Sequence, residues 1–261
     1  MTEPDRRVAR PDRDAAARFL RADRAWAAYP LGHLDPASGV TTDLHATDTP
    51  AGIEALLVVA HLPSLVNLFA TGSPSGVADT LRALPEVPAS GVFSARGDTL
   101  EAMERHLQVT TAYRMRRMAV TPAELRGRRQ RETKRLGLAH LEQVRRLYGL
   151  WTDSHQLPSQ LDGGIYFGCF DGDELVAAAG THAVSLGSGV AAIGNVLTHV
   201  GHRGRGLAST TTTAVAEELF RLGCEEVVLN VRQGNDIALD AYRKLGFREH
   251  CTFIEGVFRR R

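Results

Sequence analysis

The chain is poor in cysteine: Cys169, Cys224 and Cys251 are the only three in 261 residues, and they stand far apart without a CxxC pair. An odd, scattered set gives neither a disulfide framework nor a zinc-ligand pattern, so each is expected to be a small buried residue and no metal is expected. Long apolar runs are also missing. No stretch approaches the ~18 apolar residues of a membrane span, and the opening MTEPDRRVARPDRDAAARFL has no apolar core of the kind a signal peptide carries. Both absences lead to the expectation of a cytoplasmic protein with no membrane partner. Nor is there an excess of one charge: 31 Lys and Arg face 30 Asp and Glu, a net of +1, which gives no overall pull toward nucleic acid. What the chain does have is length, since 261 residues can bury a sizeable core and suit two domains better than one.

The most informative stretch runs from Gly194 to Phe247. Residues 191–200 are short, apolar and rich in Val, Ile, Leu and Thr, as a buried strand requires. His202-Arg203-Gly204-Arg205-Gly206-Leu207-Ala208 follows, pairing two glycines that let a ligand approach the backbone with two arginines that suit phosphate. A helix is predicted over 207–222, with Leu207, Val215, Leu219 and Leu222 at helical spacing and Gly223 as its stop. Strand, glycine turn and helix start together place unpaired N–H groups and the positive end of a helix dipole at one point, where a pyrophosphate could sit. A second strand, 226–231, and a second helix, 235–244, complete the run. Two other phosphate sites do not fit. A P-loop needs Gly-Lys followed by Ser or Thr, and a dinucleotide fingerprint needs Gly or Ala where Ser209 stands, with an acid ending the next strand rather than Glu225 and Glu226 starting it. A glycine turn that merely joins strand to helix stays open as the plain alternative.

On these residues the chain resembles the Gcn5-related N-acetyltransferases (GNAT), which bind acetyl-CoA and acylate an amine. The family's acyl-CoA signature, Arg or Gln, two residues, Gly, one residue, Gly or Ala, is met by Arg203, Gly206 and Ala208; its second signature, Asn, two residues, Ala, three residues, Tyr, three residues, Gly-Phe, is met by Asn235, Ala238, Tyr242, Gly246 and Phe247. The resemblance implies an α/β (α+β) fold with a mixed central sheet flanked by helices, and acetyl-CoA as acyl donor. It implies that the main chain of Val196, Leu197 and Thr198 pairs with the pantetheine arm as a pseudo-strand, and that Arg203, Gly204, Arg205, Gly206, Leu207 and Ala208 meet the pyrophosphate. Asn235 is expected to cap its helix, with a cofactor contact implied by the resemblance alone. Tyr242, by the same resemblance, protonates the departing thiolate. A phenol of pKa ~10 is protonated at neutral pH and matched to that task. Many members that acetylate peptide N-termini carry Glu five residues before the Asn of the second signature. This chain has Asn230 there, which cannot act as base and argues against such substrates. His199 and His182, ionisable near neutrality and on or beside the central strands, are the candidate bases, alongside Asp153 and His155 in a pocket-edge loop and a water chain.

Elsewhere a loose lead-in is expected over the first dozen residues. An amphipathic helix is predicted from Asp14 to just before Pro30, strands over 53–61 and 65–70 split by Pro63, and a helix over 77–84 behind the turn Gly72-Ser-Pro-Ser-Gly76. A strand over 92–95, a helix near 99–106 and a strand over 109–120 follow. This order is a shortened echo of the later half without its chemistry. The expected organisation is therefore two GNAT-like domains in tandem: 1–120 degenerate, 121–137 a basic, solvated linker, and 138–261 catalytic. The resemblance supports this, because relatives of glycine acyltransferases are built so. The linker lacks interleaved aromatics, which argues against nucleic acid. A helix over 138–150 and a hairpin of 165–170 and 175–185 through Asp171-Gly172 lead into the central strand. The function expected is transfer of an acetyl group to a primary amine of a small or amino-acid-like molecule in a ternary complex. A longer acyl-CoA or a non-catalytic CoA sensor are the alternatives, and a homodimer is left open.

Overall fold

The computed structural model describes residues 6–127, 129–149 and 161–261. Two compact units share the chain, and they interleave in sequence. The first takes Met1–Asp23, Gly39–Arg116 and Cys251–Arg261; the second takes Arg24–Ser38 and Arg117–His250.

In the first unit, strands β1 (Arg7–Ala9), β2 (Thr41–Thr49), β3 (Gly52–Leu62), β4 (Leu65–Gly72) and β5 (Ser90–Ala95) lie in that order, followed by the later part of β12 (Arg248–Arg260) and the earlier part of β6 (Leu107–Val120). β2, β3 and β4 form an antiparallel meander, whereas β4 and β5 run parallel, with Asn67 beside Val92 and Ala70 beside Ala95. Helix α3 (Pro74–Arg82) makes the crossover between them, and α4 (Gly97–Glu104) follows β5. Leu57, Val59, Leu68, Val77, Leu81, Phe93, Met103 and Phe258 meet in the core. At ~25 cal/mol per Å² of apolar surface, burying such side chains contributes most of the driving force for this unit. Within the stretch expected to be a loose lead-in, Arg7 to Ala9 form β1 by pairing with Asp48 to Ala46.

Near the start the sequence predicted one helix ending before Pro30, and the structure has two. α1 (Arg13–Arg21), capped by the Asp12 side chain accepting from Ala15 N–H, ends well short; α2 (Ala28–Leu34) contains the proline. Pro30 falls in the first turn of α2, where a missing N–H costs nothing, so it opens a helix rather than ending one. α2 belongs to the second unit. It lies so close to β9 (Glu174–Ser185) that a Cβ at Gly32 would come within 2.6 Å of the Ala183 Cβ.

The second unit's sheet runs β11 (Glu226–Arg232), β10 (Val190–Thr198), β9, β8 (Tyr166–Asp171) and β7 (Lys134–Leu136). β10 and β11 are parallel and joined through α6 (Leu207–Arg221), while β8, β9 and β10 form the antiparallel meander the sequence predicted. α5 (Leu141–Tyr148) and α7 (Asp236–Lys244) complete the unit. The basic stretch 121–137 is not wholly a solvated linker. Its end pairs as β7 with β8, Arg129 and Arg135 meet Glu217 at 2.6 Å and Glu218 at 3.7 Å, and both guanidiniums stack on the Phe167 ring. Cys169 and Cys224 are buried and Cys251 is half-buried; burial pushes the Cys224 thiol up to about 11. No helix among the described residues is long and apolar enough to cross a membrane.

Candidate active site

The site begins where two parallel strands part. β10 and β11 are in register from Val190 beside Glu226 to Ile193 beside Leu229, and there their pairing stops although both continue. The cause lies on the other edge of β10. Its register with β9 jumps from Gly194 beside Gly180 to Leu197 beside Ala178, with Asn195 and Val196 forming a bulge. Asn195 holds φ +50°, a left-handed conformation that asparagine tolerates better than most residues. A bulge bends its strand and sharpens its twist, which turns β10 away from β11. Past the bulge, side chains alternate: Val196 packs into the cluster holding Tyr242, Ile193 and Leu229, and Leu197 into the one holding Tyr148 and Tyr166. Buried Thr198 Oγ1 has no hydrogen-bond partner among the described residues.

Beyond Thr198 lies the glycine turn. Gly204 and Gly206 have φ +75° and +72°, and Gly206 caps α6 with no side chain to occupy the helix's leading N–H groups. Arg203 and Arg205 are exposed, and neither has an ion-pair partner among the described residues; Arg203 Nε lies 3.4 Å from the Thr198 carbonyl. Leu207 is buried against Cys169, Val176 and Ala177, which fixes the helix start, and Ala208 is half-buried. Gln130 reaches the turn as well. A Cβ at Gly206 would come within 2.6 Å of its Oε1. Gln130 gives no signal in the sequence, because a residue in a basic, polar stretch carries no sign of where that stretch packs.

The predicted site residues do not all converge. Tyr242 is buried on α7, edge-to-face with Phe247 at 5.9 Å, and burial raises its phenol pKa well above the ordinary value, so it is neutral. Its hydroxyl has no hydrogen-bond partner among the described residues. Asn235 is an N-cap, accepting from Ala238 N–H at 3.2 Å. His199 sits at the start of the glycine turn, where Nδ1 accepts from Gly201 N–H at 3.3 Å and the ring packs edge-on against His202. His182, on β9, is at the bulge instead, with its imidazole lying over Gly194 so closely that a Cβ there would be 2.1 Å away. Asp153, His155 and the other pocket-edge residues 151–160 lie outside the described residues.

Around His182 the structure gathers polar groups that the sequence had not connected. Tyr29 of α2 places its hydroxyl 3.1 Å from His182 Nδ1, and Asn230 Nδ2 donates to the same hydroxyl at 3.4 Å. Asn195 hydrogen-bonds the imidazole through its side chain and donates from Nδ2 to the Tyr166 hydroxyl at 2.8 Å; the Tyr148 hydroxyl donates to the Asn195 carbonyl. Burial is the main cause of the lowered His182 pKa, partly offset by Asn195. Arg117, itself buried, donates to the Ala25 and Trp26 carbonyls at 3.0 and 2.7 Å and stacks on the Trp26 and Tyr29 rings, which holds the start of α2 in place. A tyrosine in an apolar AWAAYP stretch gives no sequence signal of such a role.

The arrangement offers an open strand edge, an uncapped helix start flanked by two exposed arginines, a neutral buried phenol and a neutral imidazole. That combination suits an elongated ligand with an anionic end. The sequence model of the Acetyltransferase (GNAT) family matches residues 136–247. A mycothiol acetyltransferase of Corynebacterium aurimucosum is 39% identical over 57 residues, 21% of this chain and 19% of that protein, so the match spans about a fifth of the relative's length. Among solved structures, a GCN5-related N-acetyltransferase from Kribbella flavida superposes with TM-score 0.65 at 17% identity, covering 94% of this chain and 95% of that one. A tandem GNAT protein from the clavulanic acid biosynthesis pathway gives 0.57 at 11%, covering 97% and 98%. At such identities the two structures bear on the fold alone. Residues 136–247 thus match the GNAT acetyltransferase family, and the mixed-sheet fold that carries them is similar to that of solved GNAT proteins.

Proposed function

We propose that this protein is an acetyl-CoA-dependent N-acetyltransferase that acts on a primary amine of a small or amino-acid-like molecule by direct attack in a ternary complex. The observation that carries the reading is the parting of β10 and β11 after Ile193 and Leu229, directly upstream of an uncapped helix start. Backbone groups on an open strand edge suit an amide-bearing arm, and N–H groups with Arg203 and Arg205 beside them suit a pyrophosphate. In this reading Val196, Leu197 and Thr198 line the arm, and Gly204, Gly206, Leu207 and Ala208 admit the pyrophosphate. Asn235 shapes the start of the helix that presents Tyr242. Tyr242, neutral and buried beside Val196, gives its proton to the leaving sulfur. His182 is the base favoured here, because its imidazole borders the strand parting while His199 sits at the pyrophosphate turn. The first unit is read as a degenerate relative of the second, and a cytoplasmic setting goes with an acyl-CoA donor.

A screen of small amines with CoA release as the readout tests the proposal. Turnover with acetyl-CoA and at least one primary amine is expected. Binding of acetyl-CoA without release of CoA across the screen would instead leave a CoA-binding protein and overturn the catalytic reading.

A further inference from the structure

We propose that Asn230 marks the acceptor subsite and that this subsite takes the amine uncharged, which makes weakly basic primary amines the substrate class; this rests on the acyl-transfer reading above and specifies its acceptor side.

Asn230 Nδ2 donates to the Tyr29 hydroxyl at 3.4 Å, whereas the buried Asn230 Oδ1 has no hydrogen-bond partner among the described residues. Protein interiors leave few polar atoms in that condition, and an amide oxygen calls for a donor. Asn230 is the first residue of β11 past its last pair with β10, so this oxygen stands at the strand parting. Side chains alternate along a strand. Leu229 and Val231 turn to the cluster that holds Tyr242, and Asn230 between them turns to the opposite face, toward Tyr29 of α2. A thioester in the parting would have the Tyr242 phenol on one side and the Asn230 oxygen on the other. The reactant that brings N–H donors to that second side is the amine.

The charge around this oxygen decides which form of the amine it accepts. An ammonium held away from water needs a carboxylate beside it. The groups gathered here are neutral or positive instead. Tyr29 lies 3.1 Å from His182 of β9, and the influences on that imidazole are burial, which lowers its pKa, and the Asn195 side chain of β10; no carboxylate among the described residues acts on it. Tyr166 of β8 and Tyr148 of α5, both kept neutral by burial, stand behind Asn195. The guanidinium of Arg117, on β6, lies over the Tyr29 ring. Glu226 and its neighbour Glu225 are at the other end of β11, where they pair with Arg24. An oxygen acceptor in this company suits the N–H of a neutral amine.

Such an amine arrives with its lone pair free. That pair forms the C–N bond, the C–S pair leaves on sulfur with the Tyr242 proton, and the nitrogen sheds one proton, which solvent returns to Tyr242. No proton has to leave before attack. At pH 7 an amine of pKa ~10 offers about one neutral molecule in a thousand, whereas one of pKa ~5 is almost wholly neutral.

The test takes amines from the screen in pairs matched in size and split by basicity, toluidine with its isomer benzylamine being one such pair, and follows kcat/KM from pH 6 to 10 with acetyl-CoA affinity measured by calorimetry. For the weakly basic member kcat/KM is expected to hold level, and for the strongly basic member to rise about tenfold per pH unit toward that amine's own pKa. Asn230→Ala should raise KM for both members about tenfold and leave acetyl-CoA affinity unchanged. Asn230→Asp, which keeps the shape and adds a charge, should raise kcat/KM of the strongly basic member at pH 7 about tenfold relative to its partner. A weakly basic member that falls with pH while the strongly basic one holds level would show the ammonium to be the bound form and overturn the proposal, as would hits confined to strongly basic amines. Unchanged KM in Asn230→Ala overturns the subsite; in all these cases acyl transfer stands. Wild-type protein that releases no CoA with any amine overturns the acyl-transfer reading instead, and the subsite with it.

Discussion

Each unit contains a strand, a turn, a helix and a parallel strand, and they treat the helix start in opposite ways. In the first unit Ser73 caps α3, accepting from Gly76 N–H at 3.0 Å while its hydroxyl donates to Glu54 at 2.5 Å, and Arg6 closes on the same carboxylate at 2.7 Å. The dipole is answered from within, and the Glu54 carboxyl is held below its ordinary range, first by Ser73 and then by Arg6. In the second unit Gly206 leaves the start of α6 bare, with Arg203 and Arg205 beside it. The strands differ too. β5 ends at Ala95, the last residue in register with β4, whereas β10 and β11 both run on past their last shared pair. One arrangement is closed by its own side chains, and the other leaves its strand edge and helix start open.

The largest test of this contrast swaps a side chain into each turn. Gly206→Val, strained at φ +72° and crowding Gln130, should weaken acetyl-CoA binding about a hundredfold or more by calorimetry. Gly72→Ala meets the Glu54 carbonyl at 2.3 Å with φ +106°, so it should lower Tm and leave acetyl-CoA affinity alone. If both changes affect affinity equally, the contrast fails. Acid should separate the units next. Burial holds His33 of α2 down at about 4, neutral in the fold and protonated in the unfolded chain below its ordinary 6.5. Stability present above pH 6.5 is therefore lost as pH falls toward 4, by about 3 kcal/mol. Amide exchange should show protection of residues 28–34 falling over that range, and His33→Gln should flatten the dependence. Tyr242→Phe should lower kcat about thirtyfold to a hundredfold at neutral pH with acetyl-CoA affinity intact, read by steady-state kinetics beside calorimetry. Smallest is Ser73→Ala, which should cost about 1 kcal/mol in denaturant unfolding and leave turnover unchanged.

The second unit was legible because its elements carry strong local signals. The hairpin through Asp171-Gly172, the Val- and Ile-rich strands and the glycine stop after α6 all lie where sequence periodicity and turn chemistry place them. In the first unit β2 went unread, since TTDLHATDT has no clean apolar alternation; its pairing with β3 makes the strand. β12 was unread for a related reason. Its mixed REHCTFIEGVFRR becomes a strand beside β5, with Ile254 against Ala95 and Phe258 against Gly91. The glycine turn was visible because its residues adjoin in sequence. The polar cluster was not: Tyr29 and His182 are 153 positions apart, and no local pattern encodes that meeting.

The interleaving of the units bears on how the polypeptide reaches its native state. β12 lies between β5 and β6 in the first sheet, so that sheet lacks an interior member until residues 251–261 have left the ribosome. Segments made early must wait for one made much later. A stop codon near 250 would therefore spare every residue that the acyl-transfer reading uses and still leave the first unit without a mature β-layer.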